Sequence, residues 1–199
     1  MVADWHGRFT EASATARSRA EHLAATGQSR VSAENIHAEY RARILAGEDL
    51  LEECRSLRVE SEEAGVEWQT RAVSSLCALA AAGDPAEFQT ELARLREAYV
   101  HEAARDGRND NVRTNLYVPM ALHAAVVGDV AQLEASRADC AAHVLWHEVV
   151  GFWLSGLRGA ALTTSGIDWL DDEAVVRQRW WGVVERRVER RGGQRVGAR

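Results

Sequence analysis

The sequence predicts an all-α fold of stacked antiparallel helix–turn–helix hairpins, about eight or nine helices in all. Three observations carry that reading. Alanine is abundant and Pro85 and Pro119 are the only prolines, a bias that favours helix over strand. Apolar residues recur three and four apart, the spacing that gathers one face of a helix. Glycines break this pattern at intervals, each soon followed by a capping residue, so one helix stops and another starts.

The elements follow in order. A first helix is expected from about Asp4 to Ala25, with Trp5, Phe9, Ala16, Ala20 and Leu23 near one stripe and Gly27 as its stop. A second starts at Ser32 as N-cap, carries Ile36, Tyr40 and Ile44, and stops at Gly47. A third starts at Asp49, carries Leu50, Cys54 and Leu57, and ends before Gly65. A fourth runs from about Val66 to Ala82, with Val73, Leu76, Cys77 and Ala80 inward. The next start is the clearest. Asp84 is placed to cap, Pro85 occupies the first helical position and Glu87 the third, so each satisfies or avoids a free amide. Phe88, Leu92, Leu95 and Tyr99 then recur at helical spacing. Residues 106–111 read as a loop. A sixth helix passes through Pro119, in its first turn or at a kink, and stops at Gly128. Asp129 caps a seventh, and an eighth carries Trp146, Val149, Val150, Trp153 and Leu157. Whether residues 129–162 form one long helix or a hairpin is open at this level. The last helix begins near Asp171 or Asp172, carries Val176, Trp180, Val183, Val184 and Val188, and is expected to stop at Gly192-Gly193. The chain then divides into one helical domain over residues 1–191 and a flexible Arg/Gly tail over 192–199.

Charge narrows the chemistry. Lysine is absent, and all 24 Lys+Arg positions are Arg. That excludes a Schiff-base lysine, a P-loop lysine and a kinase ATP-anchoring lysine. The net charge of −6 is uneven, because residues 177–199 hold eight Arg against Glu185 and Glu189. The acidic remainder argues against general nucleic-acid binding, which requires a positive footprint. Only the Arg-rich end, Arg186-Arg187, Arg190-Arg191, Arg195 and Arg199, has the sign for nucleic acid, anionic lipid or an acidic partner. A solvated helix face is the plainer reading of that run, since Glu185 and Glu189 interrupt it. Cys54, Cys77 and Cys140 are odd in number and widely spaced, so a reducing, cytoplasmic setting is expected. Met1 to Trp5 lacks the charged leader and apolar run of a signal peptide. The most apolar window, 143–162, contains His143, His147, Glu148 and Arg158 and reads poorly as a membrane span.

An internal echo supports stacking. Leu79-Ala-Ala-Ala-Gly-Asp84 returns 45 residues later as Ala124-Ala-Val-Val-Gly-Asp129. Ala86 then matches Ala131 and Phe88 matches Leu133, with a fainter copy at Ile44-Leu-Ala-Gly47. These units resemble tetratricopeptide repeats, which implies an α-solenoid, although the spacing is longer and the strict consensus is missing. Thr114-Asn115-Leu116, Ala125 to Asp129, His147 to Leu157 and Arg179-Trp180 also resemble the helical repeat region that follows the catalytic domain in some high-GC bacterial serine/threonine kinases. No kinase glycine-rich loop, His-Arg-Asp or Asp-Phe-Gly motif is present. The resemblance therefore implies recognition or scaffolding.

Few residues suggest chemistry. On an uninterrupted helix Cys140, His143 and His147 would share a face, a donor set suited to zinc. Packing against a neighbouring helix is the simpler account, and a turn between them would break the face. Asp171-Asp172-Glu173 reads as helix-start chemistry, and Ser165-Gly166 lacks the setting of a nucleophile elbow. His6, His22 and His37 are isolated and read as surface or helix-packing residues. Trp180 and Trp181 lie about 100° apart on a helix, so one of them is expected at a surface. The functional expectation is a cytoplasmic, non-catalytic adaptor that binds another protein, with no cofactor and no metal. Tyr99, Asn115, Tyr117, His123 and Trp181 are its candidate contact residues. Two alternatives stand beside it. One is a toxin-neutralising immunity protein, whose acidic surface suits a basic nuclease. The other is a metal-dependent helical-bundle enzyme using His143 and His147.

Overall fold

The computed structural model describes residues 6–63, 68–106, 110–159, 167 and 171–197; side chains at 29–34, 60–63, 68–72, 98–106, 110–115 and 190–197 lie outside the described set. Among the described residues there are nine helices and no strand. They are α1 (Phe9–Ala25), α2 (Ser29–Ala46), α3 (Leu51–Glu63), α4 (Trp68–Ala82), α5 (Pro85–Asp106), α6 (Asp110–Val127), α7 (Val130–Asp139), α8 (Val144–Arg158) and α9 (Glu173–Gly197).

The helix boundaries follow local chemistry. Asp84 accepts from the amides of Ala86 and Glu87, both at 3.0 Å, and so caps α5. Asp129 accepts from Gln132 N at 2.9 Å and caps α7. Asp172 accepts from Ala174 N at 2.8 Å and caps α9. Each satisfies an amide the helix cannot. At the end of α6, Gly128 takes φ 77°, a left-handed value that glycine adopts without a Cβ penalty. Asp129 N then reaches back to Ala124 O at 2.8 Å, closing the exposed end. Gly83 has a similar φ of 74°, though there the turn closes through Gly83 N to Leu79 O at 2.9 Å.

Three boundaries differ from expectation, and one of the two placements left open for Pro119 is excluded. Helix α2 begins at Ser29, ahead of Ser32. Helix α5 reaches Asp106 and α6 begins at Asp110, so the ends of the expected 106–111 loop are helical, while residues 107–109 lie outside the described set. Pro119 lies inside α6 rather than in its first turn, and its missing N–H removes one rung of the ladder. Helix α9 runs through Gly192-Gly193 to Gly197, where a stop and a flexible tail were expected. Glycine disfavours helix by about 1 kcal/mol relative to alanine, which alone does not end one. Residues 129–162 divide into α7 and α8 with a turn at 140–143.

Packing proceeds along the chain. Helix α1 pairs with α2, α3 with α4, and α7 with α8. The alternate helices α2, α4, α6 and α8 also pack in series, and α9 lies on α8 and α6. One core results, including Leu76 and Leu79 of α4, Leu122 and Ala125 of α6, and Val149 and Trp153 of α8.

Helix α9 also returns to the beginning of the chain. The Trp180 ring meets Phe9 of α1 edge-on at 4.9 Å, and Trp146 and Trp153 of α8 at 5.9 Å each. The Trp153 indole donates to Trp180 O at 2.8 Å, so its buried N–H has a partner. Arg187 is only 6% exposed and donates to Val183 O and to Ile44 O near the C-terminus of α2. A guanidinium there suits the negative end of that helix. Helix α9 thus joins the first hairpin to the last.

Candidate functional site

The most exposed large hydrophobic residue described is Val144, at 61%. Its position follows from the α7–α8 turn. Arg137 organises that turn: its carbonyl accepts from Cys140 Sγ at 3.4 Å and from His147 Nδ1 at 3.0 Å. The Arg137 side chain crosses α8 over Gly151, where an added Cβ would lie 3.2 Å from the guanidinium. It also donates to His147 O at 3.3 Å. These bonds fix α8 so that Trp146 points into the core while His143 and Val144 face out. The His143 ring meets Tyr117 of α6 edge-on at 5.8 Å. Met120, one turn along α6, is half-buried and has Arg96 Nη2 at 3.3 Å from its sulfur. Tyr117, Met120, His143 and Val144 therefore form an amphipathic patch bridging α6 and α8. An aromatic, a thioether and an exposed aliphatic suit a protein contact.

The five expected contact residues separate. Tyr117 belongs to this patch, half-buried. His123 is 6% exposed and stacks on Phe88 of α5 at 4.1 Å with rings 3° from parallel. Its ring fills the core between α5 and α6 and is not offered to a partner. Trp181 is half-buried, donates to Glu185 at 3.1 Å, and lies over Gly156 of α8. A Cβ on Gly156 would come within 2.2 Å of the indole, so Trp181 seats α9 on α8. The side chains of Tyr99 and Asn115 lie outside the described residues, as do those of Arg190, Arg191, Arg195 and Arg199. Met120, His143 and Val144 were missed as contact residues; the exposure of His143 and Val144 depends on a turn that carries neither Gly nor Pro.

The donor set Cys140, His143 and His147 is not on one uninterrupted face. Cys140 ends α7, His143 occupies the N-cap position of α8, and His147 falls in the first turn of α8. Among the described residues no group of three or more His, Cys, Asp or Glu is arranged to hold a metal ion. Burial pushes the Cys140 thiol up to about 11, and the Cys54 and Cys77 thiols up to about 12. Such thiols are poor nucleophiles at neutral pH. His37 is buried with Nδ1 hydrogen-bonded to Ser74 Oγ at 2.8 Å. Desolvation, with the Arg41 charge adding to it, lowers its pKa to about 3. It is a neutral packing residue between α2 and α4. No helix among the described residues is long and apolar enough to cross a membrane.

No family model, no curated protein and no solved structure matches this chain.

Proposed function

We propose that the chain is a non-catalytic helical module that binds another protein through the patch formed by Tyr117, Met120, His143 and Val144. The observation that carries this reading is Val144, which is 61% exposed beside the Tyr117–His143 ring pair. Covering it with a partner would remove apolar area from water at roughly 25 cal/mol per Å². The resemblance to tetratricopeptide repeats and to the repeat region of bacterial kinases supports the same role. So do the three cysteines, whose raised thiol pKa values suit packing better than catalysis.

The test is capture from the native cell extract by the intact chain and by Val144→Glu, each also assayed for bound metal. One stoichiometric protein, retained by the wild type and lost by Val144→Glu with unchanged circular dichroism, is the expected result. Identification of that protein as a basic nuclease would specify the role as immunity. Stoichiometric zinc or iron with no protein partner would overturn the binding reading and return attention to His143 and His147.

A further inference from the structure

A cavity of about 400 Å³ lies where the beginning of the chain meets α9. Three guanidinium groups line it, from Arg8, Arg179 and Arg186, together with Phe9, Glu11 and Ala46. We propose that this cavity binds the phosphoryl group of a small phosphorylated molecule.

Charge is the first argument. Arg8 pairs with Glu11 at 2.9 Å and lies 3.8 Å from Asp171. Arg179 pairs with Asp171 at 2.5 Å and donates to His6 O at 3.0 Å. These two cations are matched by two carboxylates. Arg186 is exposed on α9, two turns beyond Arg179, and makes no hydrogen bond or ion pair with any described residue. An unmatched guanidinium lining the same cavity as two others is a local positive site on a chain whose net charge is −6. An anion fits it, whereas a cation or a neutral ligand leaves the imbalance in place.

Shape and donors narrow the anion. The wall between Arg8 and Glu11 is the first turn of α1, which has no side-chain cap, unlike the starts of α5, α7 and α9. Phe9, Thr10 and Glu11 of that turn line the cavity, and the amides of a helix's first turn have no intrahelical acceptor. Donors converging from several directions suit the three oxygens of a phosphoryl group better than the two of a carboxylate. The cavity exceeds the size of a phosphate ion, and Phe9 and Ala46 give it a carbon wall. That leaves room for the organic part of a phosphate ester.

The experiment is calorimetric titration of the intact chain, in phosphate-free buffer of low ionic strength, with ribose 5-phosphate, inorganic phosphate and ribose. Ribose 5-phosphate is expected to bind saturably, inorganic phosphate more weakly, and ribose not at all. Arg186→Gln should weaken the ester by about tenfold, as expected for one lost charge-assisted hydrogen bond. Its thermal midpoint should hardly change, because Arg186 bonds no described residue. Arg8→Gln should weaken binding as well. Inorganic phosphate binding as tightly as the ester would retain the anion site and overturn the assignment to an esterified ligand. Absence of saturable binding by either phosphate, or equal affinity in Arg186→Gln, would overturn the proposal altogether.

Discussion

The first hairpin and the last helix pair are held together by different means. Helices α1 and α2 meet through small residues, with Ala12, Ala16 and Ala20 buried on one and Ala42 on the other. Their polar edge is tied by Arg17, whose Nε and Nη2 both donate to Glu39, at 2.9 and 2.5 Å. Helices α8 and α9 meet through Trp146, Trp153 and Trp180, with Trp181 over Gly156. Alanine lets two backbones approach closely but hides little area per residue, whereas a buried aromatic hides roughly 150–250 Å². The comparison locates the larger share of side-chain burial at the end of the chain. There α9 packs on α8 and also reaches α1 and α2 through Trp180 and Arg187.

The sharpest way to break this asymmetry is Trp180→Ala. Its ring is fully buried and shared by α1, α8 and α9. A loss of about 3–5 kcal/mol in urea unfolding is expected, and a loss below about 1 kcal/mol would mean α9 is not integral. Gly156→Ala should follow, at about 1–3 kcal/mol, because the new methyl overlaps the Trp181 indole. The diagnostic is the double variant with Trp181→Ala, in which that penalty should largely vanish. If it persists, the crowding lies elsewhere.

The first half of the molecule offers a pH test. His37 has a pKa of about 3 in the fold and about 6.5 when unfolded. Below pH 6.5 the unfolded chain therefore binds more protons, and stability falls as pH falls from about 6.5 towards 3. At pH 5 the His37 contribution to that loss is about 2 kcal/mol, from 1.4 kcal/mol per unit over about 1.5 units. Comparing wild type and His37→Gln between pH 7 and pH 5 checks it, since the variant should lose less over that interval. An identical slope would contradict the burial of a neutral His37. The smallest effect expected is that of Arg17→Gln. Arg17 is 55% exposed, so solvent and salt screen its pair with Glu39, and the unfolding midpoint should hardly move.

Much of the fold is written in local chemistry, and that part was legible. Asp84, Asp129 and Asp172 cap because an acidic side chain before a helical stretch has few better uses, and Gly128 ends α6 because its left-handed turn favours glycine. Helix geometry alone separated Trp180 from Trp181, but Trp181 is half-buried over Gly156 where a surface position was one expectation. Long-range packing was not legible. Arg187 reads as part of a solvated basic run, yet it is buried against a carbonyl from Ile44, 143 residues earlier. His123 reads as a groove residue until Phe88 arrives from another helix to stack on it. Of the proposed contact patch only Tyr117 was anticipated, because His143 and Val144 are exposed by a turn built from Arg137 hydrogen bonds. The basic cavity draws on residues 7–11, 46, 179 and 186, a convergence no short motif can encode.

The central claim is that a protein partner covers the α6–α8 patch. Hydrogen–deuterium exchange of the intact chain, alone and saturated with its captured partner, tests it most directly. The account predicts added protection in the peptides spanning Tyr117–Met120 and His143–His147, with little change along α1 and α2. A footprint confined to α1, α2 or the basic end of α9, with none at Val144, would contradict it.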